Sequence, residues 1–172
     1  MIKLDDFRTA GFPITWKLID IGFKGSDKFA NQLLSSDIVD YAISRMGDDC
    51  EDSDIVDLAC EYEANVWEID KYVKRLSQRE NSQYDIEFWK WRVVYVLKKL
   101  PDPNTEFIHG LMDLGDIWIE FDFPEDSPHI FQGRNNCITP EQYYTLENYH
   151  ALLQRHHEWA DNEIKHILAL SV

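Results

Sequence analysis

Residues Ser82–Pro101, SQYDIEFWKWRVVYVLKKLP, decide the fold prediction because they carry the signals of one long buried helix. Ser82, with Asp85 three residues later, is typical of a helix N-terminus, since the side-chain oxygen accepts a backbone N–H of the first turn. Pro101 cannot continue a helix and therefore marks its end. Between these ends apolar residues leave no wholly polar face, so neighbours must cover the helix on several sides. We therefore predict a mainly α protein of about seven helices around a central helix at roughly 83–100.

Two segments also fit a strand. The β-branched run at Val93–Leu97 suits a buried strand as well as a helix. Residues 116–123 alternate apolar and polar side chains, which is the pattern of a short, half-buried strand. Helical spacing of apolar residues begins earlier, at Phe107, and continues to Phe121. That longer pattern favours a helix over the strand.

Six further helices are predicted from end signals and spacing, and three of them lie at Ile38–Met46, after Ser53 and at Val66–Leu76. Pro13–Gly22 has proline at the first helical position and glycine at the stop. A short helix is expected at Phe29–Leu34. The strongest start signal is Thr139–Gln142 (TPEQ), with threonine as N-cap, proline in the first position and glutamine three residues on. From there the apolar stripe predicts one helix continuing to Ile167.

Length and composition predict one globular domain over residues 1–172. The chain is 44 % apolar and 13 % aromatic, which argues against disorder and supports a sizeable core. Its three cysteines form no CxxC pair, which fits a reducing compartment. The N-terminal residues lack the apolar run of a signal peptide, and no stretch approaches the ~20 apolar residues of a membrane span. We therefore expect a soluble, cytoplasmic protein without a membrane partner.

The net charge of −15 is distributed unevenly along the sequence. Residues 1–63 carry a net charge of −8 and residues 104–172 a net charge of −9, whereas residues 64–103 are slightly basic. Such a protein repels nucleic acid and anionic membranes and attracts basic partners. A general role in solubility is the alternative explanation of the same charge.

Two acidic clusters are the candidate partner-binding residues. The first cluster consists of Asp48, Asp49, Glu51, Asp52, Asp54 and Asp57. The second consists of Glu120, Asp122, Glu125 and Asp126, with Trp118 or Phe123 as an aromatic anchor. An EF-hand is excluded in the first cluster because the mid-loop glycine and alternating ligands are missing. The alternatives are solvated surface and intramolecular pairing with the one basic stripe, which contains Lys71, Lys74, Arg75 and Arg79.

The sequence offers little sign of catalysis. His150, His157 and Asp161 share one face of the last predicted helix and could hold a transition metal. No HExxH motif or matching Glu-x-x-His helix accompanies them, so solvated or core-edge histidines are the alternative. The cysteines lack a catalytic signature and no G-x-S-x-G motif occurs. We expect neither an enzyme nor a bound cofactor.

Scattered aromatic segments carry a resemblance to a known family. They are Trp16, the Trp89–Leu100 helix, Trp118–Asp126 (WIEFDFPED) and His156–Trp159 (HHEW). With them the chain resembles an uncharacterised bacterial family of small acidic proteins found among the immunity proteins of polymorphic and contact-dependent toxin systems. The resemblance implies a stoichiometric inhibitor that binds a cognate toxin and covers its active site. It implies no catalytic residues.

Charge and resemblance together predict an immunity protein. Its expected partner is a basic toxin domain, a nuclease such as an RNase, whose active site it occludes without binding nucleic acid itself. One alternative is a metal-dependent helical hydrolase that uses His150, His157 and Asp161. The other is an acidic mimic of nucleic acid that occupies a host DNA- or RNA-binding protein.

Overall fold

The computed structural model describes residues 1–47 and 52–170, and within these ranges the ordered elements are all helices. In chain order they are α1 (Leu4–Thr9), α2 (Trp16–Lys24), α3 (Ser35–Arg45), α4 (Ser53–Ala59), α5 (Val66–Arg79), α6 (Tyr84–Lys99), α7 (Phe107–Glu120), α8 (Pro140–Tyr143) and α9 (Leu146–Leu170). The prediction of a mainly α protein is confirmed. None of the described helices combines the length and the apolar character needed to cross a bilayer.

The described chain forms two compact units. The first contains residues 1–94 and the last residue of α9, and the second contains Tyr95–Ala169. Helix α6 contributes its first eleven residues to the first unit and its last five to the second. The prediction of one domain stays a prediction.

Helix α6 is the predicted central helix, and Trp91 is its main packing residue in the first unit. The Trp91 side chain is fully buried and its Nε1 donates to the Leu18 carbonyl over 2.8 Å. The indole lies so close to α2 that a Cβ atom on Gly22 would be 2.1 Å from it. Gly22 therefore serves close packing inside α2, which continues to Lys24 and ends where Gly25 adopts a φ of 77°.

The central helix also buries a charged pair that its sequence does not predict. The Lys90 Nζ donates to both carboxylate oxygens of Glu87, over 2.9 and 3.0 Å, and both side chains are almost completely buried. Burial raises the pKa of Glu87. The strand alternative at Val93–Leu97 is wrong, because these residues continue α6.

Two details of the first unit differ from the predicted boundaries. Helix α2 begins at Trp16 instead of Pro13, since the Thr15 hydroxyl caps it by accepting from the Leu18 N–H over 3.0 Å. The helix predicted at Phe29–Leu34 is not formed. There the Gly22 carbonyl accepts from two backbone N–H groups of the segment, and this tertiary pairing replaces helical hydrogen bonds.

The second unit packs α7, α8 and the first half of α9 around one core. Its buried residues are Leu111, Leu114, Tyr143, Tyr149, Leu152 and Leu153. The Tyr149 hydroxyl donates to the Asp102 carbonyl over 2.7 Å, and its ring lies against α7. A Cβ atom on Gly110 would be 2.4 Å from that ring, so glycine is required for this contact.

The predicted helix boundaries in the second unit agree in part with those of α7, α8 and α9. The helix predicted from Phe107 is confirmed and takes in most of the segment for which a strand at 116–123 was the alternative. The capping box of Thr139 and Gln142 is confirmed, with the Thr139 N–H donating to Gln142 Oε1 over 3.0 Å. The final helix predicted to follow is present but divided, because the chain leaves helical geometry at Tyr144 before α9 begins.

Candidate partner-binding surface

The first predicted acidic cluster is largely engaged within the chain where the structure describes it. Three of its members lie outside the described residues: Asp48, Asp49 and Glu51. Asp52 caps α4 and accepts from Arg79 over 3.1 Å. Asp54 is buried, lies 3.1 Å from Arg75 and also pairs with Arg79. Asp57 is exposed. The predicted pairing of the basic stripe with acidic residues is confirmed for both arginines.

The second predicted acidic cluster lies at the end of α7 and in the turn that follows. Glu120 accepts a hydrogen bond from the Tyr95 hydroxyl, and burial, followed by the nearby Glu120, raises the pKa of Tyr95. Asp122 is exposed and has a φ of 55°, an uncommon value for a residue other than glycine. Glu125 and Asp126 are exposed on the adjoining turn. Carboxylates at this end of α7 therefore face solvent.

The two aromatic anchors proposed for this cluster have different environments. Trp118 is fully buried and its Nε1 donates to His156 Nε2 over 2.8 Å, so it supports the core and offers no exposed contact. Phe123 is half-buried, with its ring 4.9 Å from that of Phe131. The Arg134 guanidinium lies over the same Phe123 ring, 4.3 Å from its centre.

Two buried histidines, His129 and His156, lie in the core of the second unit and are neutral. His156 Nδ1 donates to the Leu152 carbonyl over 2.6 Å, which leaves Nε2 as the acceptor for Trp118. His129 Nε2 lies 3.0 Å from the Tyr143 hydroxyl. Burial lowers the pKa of His156 to about 4 and, with a smaller effect of His156, that of His129 to about 3. Both rings are therefore uncharged at neutral pH.

Helix α7 carries an exposed apolar strip that sequence analysis did not identify. Ile108, Met112 and Ile119 have exposed fractions of 42 %, 55 % and 51 %. Their spacing of four and seven residues places them along one line of the helix, with Gly115 in the gap. The sequence feature that could have predicted this strip is the number of apolar residues in α7, which is larger than a single buried face requires. We call Ile108, Met112 and Ile119 the apolar strip.

A row of carboxylates runs beside the apolar strip. Asp113, Asp116 and Glu120 follow one another at intervals of three and four residues, which aligns them on the adjacent line of α7. All three are exposed. The Asp116 carboxylate has no hydrogen bond or ion pair to any described residue. We call these residues the acidic row, and the strip and the row together the α7 surface.

A cavity of about 250 Å³ opens in the α7 surface at Gly115. Residues lining it include Met112, Gly115, Asp116, Ile119, Phe131 and Tyr144. His129 also borders it, since a Cβ atom on Gly115 would be 3.6 Å from His129 Nε2 and from the Phe131 ring. The cavity therefore combines aromatic and aliphatic walls with one carboxylate.

The candidate metal ligands do not form a site within the described residues. His150, His157 and Asp161 are all exposed on α9. In the two described ranges, no group of three or more histidine, cysteine, aspartate or glutamate side chains is arranged to hold a metal ion. The hydrolase alternative thus has no metal centre in this part of the chain.

Two larger cavities have their main charged side chains engaged internally. One of about 470 Å³ is bordered by Arg134, which stacks on Phe123. The other, of about 560 Å³ in the first unit, is bordered by Glu87 and Lys90, which are paired with each other. The cavity at Gly115 is bordered by the exposed carboxylate of Asp116, which has no hydrogen bond or ion pair to a described residue.

Comparison with known proteins places the chain in a family without indicating an activity. No curated protein and no solved structure matches the sequence. One family model matches residues 4–164, which is nearly the whole chain. The chain therefore belongs to the family described as an uncharacterized protein conserved in bacteria (DUF2247).

Proposed function

We propose that this chain is an immunity protein that binds a cognate bacterial toxin, a nuclease of a contact-dependent growth inhibition system, and occludes its basic active site. The observation that best supports the proposal is the α7 surface, where an exposed apolar strip lies beside exposed carboxylates. Protein interfaces combine these two features, since apolar anchors provide affinity and charge directs the partner.

The charge of the second unit supports binding to a basic partner. Residues 95–169 contain 13 acidic and five basic side chains, a net charge of −8. A field of this sign speeds the approach of a positively charged domain and repels nucleic acid. Fast capture suits an inhibitor that must neutralise a toxin before the toxin acts.

The apolar strip supports binding tight enough for inhibition. Exposed charge alone contributes little affinity, because surface ion pairs are screened by water and salt. Large apolar side chains that become desolvated at the centre of a contact contribute much more. Met112 and Ile119, each about half exposed, flank the cavity and are suited to this role.

Inhibition by this route requires no catalytic residue in the immunity protein. A nuclease cleft presents lysine and arginine to substrate phosphates, and carboxylates at the right spacing can bind the same groups. The acidic row offers such groups at successive turns of one helix. The partner's active site is then closed to its substrate by direct occupation.

The proposal is tested by capture followed by inhibition. The tagged protein is recovered from its own cells at low and high salt, and bound proteins are identified by mass spectrometry. We expect one basic toxin fragment in equal amount, and we expect its nuclease activity to fall to zero at one equivalent of added inhibitor. Capture of a host nucleic-acid-binding protein instead would support the mimic alternative and overturn the toxin assignment.

Two matched variants show whether the α7 surface is responsible. Asp116→Lys reverses one charge within the acidic row, whereas Asp161→Lys makes the same change on an exposed face of α9. We expect Asp116→Lys to slow toxin association and Asp161→Lys to affect it little, with both proteins folded by circular dichroism. Equal effects of the two changes would mean that only net charge matters.

A further inference from the structure

We propose that the cavity at Gly115 receives a single arginine side chain from the basic partner. The identity of the partner rests on the function proposed above, but the site is defined by the cavity itself. The size of the cavity, its walls, its one exposed carboxylate and the glycine that keeps it open support this proposal.

The size and walls of the cavity fit one long side chain. A volume of about 250 Å³ is below the usual range of small-molecule pockets, which begins at roughly 300 Å³. Met112 and Ile119 border it along α7 and can cover the aliphatic stem of an incoming side chain. Phe131 and Tyr144 supply aromatic rings for the charged group at its end.

The electrostatics of the cavity favour a cation. The Asp116 carboxylate lines it and is exposed, without a hydrogen bond or ion pair to any described residue. The residues that line the cavity include no lysine or arginine, although the Arg134 guanidinium, which stacks on Phe123, also lies 5.8 Å from the centre of the Phe131 ring. His129 and Tyr143 are buried titratable groups that line the cavity and are hydrogen-bonded to each other. Burial lowers the pKa of His129 to about 3 and raises the pKa of Tyr143 to about 12, so both are uncharged at neutral pH and neither repels a cation.

Gly115 is not required by the packing of the fold. A Cβ atom there would make ordinary contacts at 3.6 Å, so alanine fits. The other glycines inside described helices differ, since a Cβ atom on Gly22 or Gly110 would overlap an aromatic ring. Glycine inside a helix lowers stability relative to alanine, because glycine loses more backbone freedom on folding. Core packing would accept alanine at position 115, so we attribute the glycine to the cavity, which a larger side chain would narrow.

Arginine fits this cavity better than lysine. A planar guanidinium can stack on an aromatic face and donate to a carboxylate at the same time, whereas an ammonium is a compact, strongly hydrated charge. The second unit already contains such an arrangement, since Arg134 lies over the Phe123 ring at 4.3 Å. The same chemistry, supplied by a partner, would occupy the cavity at Gly115.

The test uses a minimal probe and does not need the toxin. N-acetyl-arginine-N-methylamide is titrated into the ¹⁵N-labelled full chain, and amide chemical shifts are followed by NMR. The matched control is the citrulline analogue, which has nearly the same shape without the charge. We expect saturable shifts at Met112, Gly115 and Asp116 with a dissociation constant on the order of millimolar, and binding at least about fivefold weaker for citrulline.

Three variants complete the test. Asp116→Asn removes the proposed carboxylate and Gly115→Ala narrows the opening, so each should raise the dissociation constant of the arginine probe about fivefold or more. Asp161→Asn changes the net charge equally at an exposed residue that does not line the cavity, and it should leave probe binding unchanged. Equal binding of citrulline, unchanged binding to both cavity variants, or shifts centred elsewhere would overturn the proposal.

Three other results would distinguish the arginine site from a dimer interface and from the proposed function. A chain that sediments as a dimer and becomes monomeric on Ile119→Lys would show that the α7 surface binds a second copy, which excludes the proposed occupant. If the probe does not bind but the chain still inhibits a toxin at one equivalent, the arginine site is wrong and the proposed function stands. If the probe binds at Gly115 and no toxin is found, the site stands without that function.

Discussion

Replacing two glycines of the same helix by alanine should change stability in opposite directions. Gly110 and Gly115 both lie inside α7, and Gly→Ala removes the backbone-entropy cost of glycine at either position. From helix propensity alone each variant would gain about 1 kcal/mol. The structure predicts that only Gly115→Ala keeps this gain.

The difference comes from what the new methyl group meets. At position 115 the nearest described atoms are 3.6 Å away, which is an ordinary van der Waals contact. At position 110 the Tyr149 ring would be 2.4 Å away, and that ring is fully buried and anchored by its hydroxyl to Asp102. Overpacking of this kind costs about 1–3 kcal/mol, and losing the hydrogen bond costs about 1 kcal/mol more. We expect Gly110→Ala to be less stable than wild type by about 2 kcal/mol and less stable than Gly115→Ala by about 3 kcal/mol.

Urea unfolding followed by tryptophan fluorescence measures both effects. The midpoints should rise for Gly115→Ala and fall for Gly110→Ala with unchanged slopes, because the slope reports surface exposure and not contact strength. In thermal unfolding Gly115→Ala should gain about 2–4 °C. If Gly115→Ala is destabilised, the glycine serves internal packing, and the inference that it keeps a binding cavity open is wrong.

Three further predictions concern the core, an ion pair and a cap. His129 and His156 have pKa values lowered well below the unfolded value of about 6.5, so the unfolded state binds more protons and stability is lost as the pH falls below that value. At pH 5 the free energy of unfolding, measured in urea, should be lower than at pH 7 by about 2 kcal/mol for each histidine. Replacing both His129 and His156 by glutamine should remove most of this pH dependence. Asp54→Ala should cost about 1–3 kcal/mol because it removes a buried carboxylate that pairs with Arg79; a loss below 0.5 kcal/mol would mean that the pair contributes nothing. Thr139→Ala should cost about 1 kcal/mol and Thr139→Ser much less, since serine retains the oxygen that caps α8.

Local sequence signals predicted the elements that depend on neighbouring residues. The central helix at roughly 83–100 corresponds to Tyr84–Lys99, and the capping box at Thr139 and Gln142 is formed. Boundaries shifted where a residue close by was a better cap, as Thr15 is for α2. The helix expected at Phe29–Leu34 failed because its backbone pairs with Gly22, a contact that local spacing does not encode.

The candidate site was predictable only in part. The sequence predicts the carboxylates at the end of α7 as partner-binding residues, and Glu120, Asp122, Glu125 and Asp126 are all exposed. Pairing of the basic stripe with acidic residues was one of the alternatives from the sequence, but charge type alone could not show that Asp52 and Asp54 are the partners, since they lie more than twenty residues from the arginines of α5. Nor could it show that Trp118 faces inward to His156.

The sequence by itself determined the helical class, the central helix, the acidic character and the membership of a bacterial family. These properties follow from periodicity, end signals, charge and family pattern, each of which is encoded along the chain. Only the tertiary structure decided which apolar residues of α7 stay exposed, which acidic groups remain unpaired and why Gly115 leaves a cavity. Those properties depend on the side chains that pack around a helix from distant parts of the chain, and a helical repeat is the same whether or not such neighbours are present.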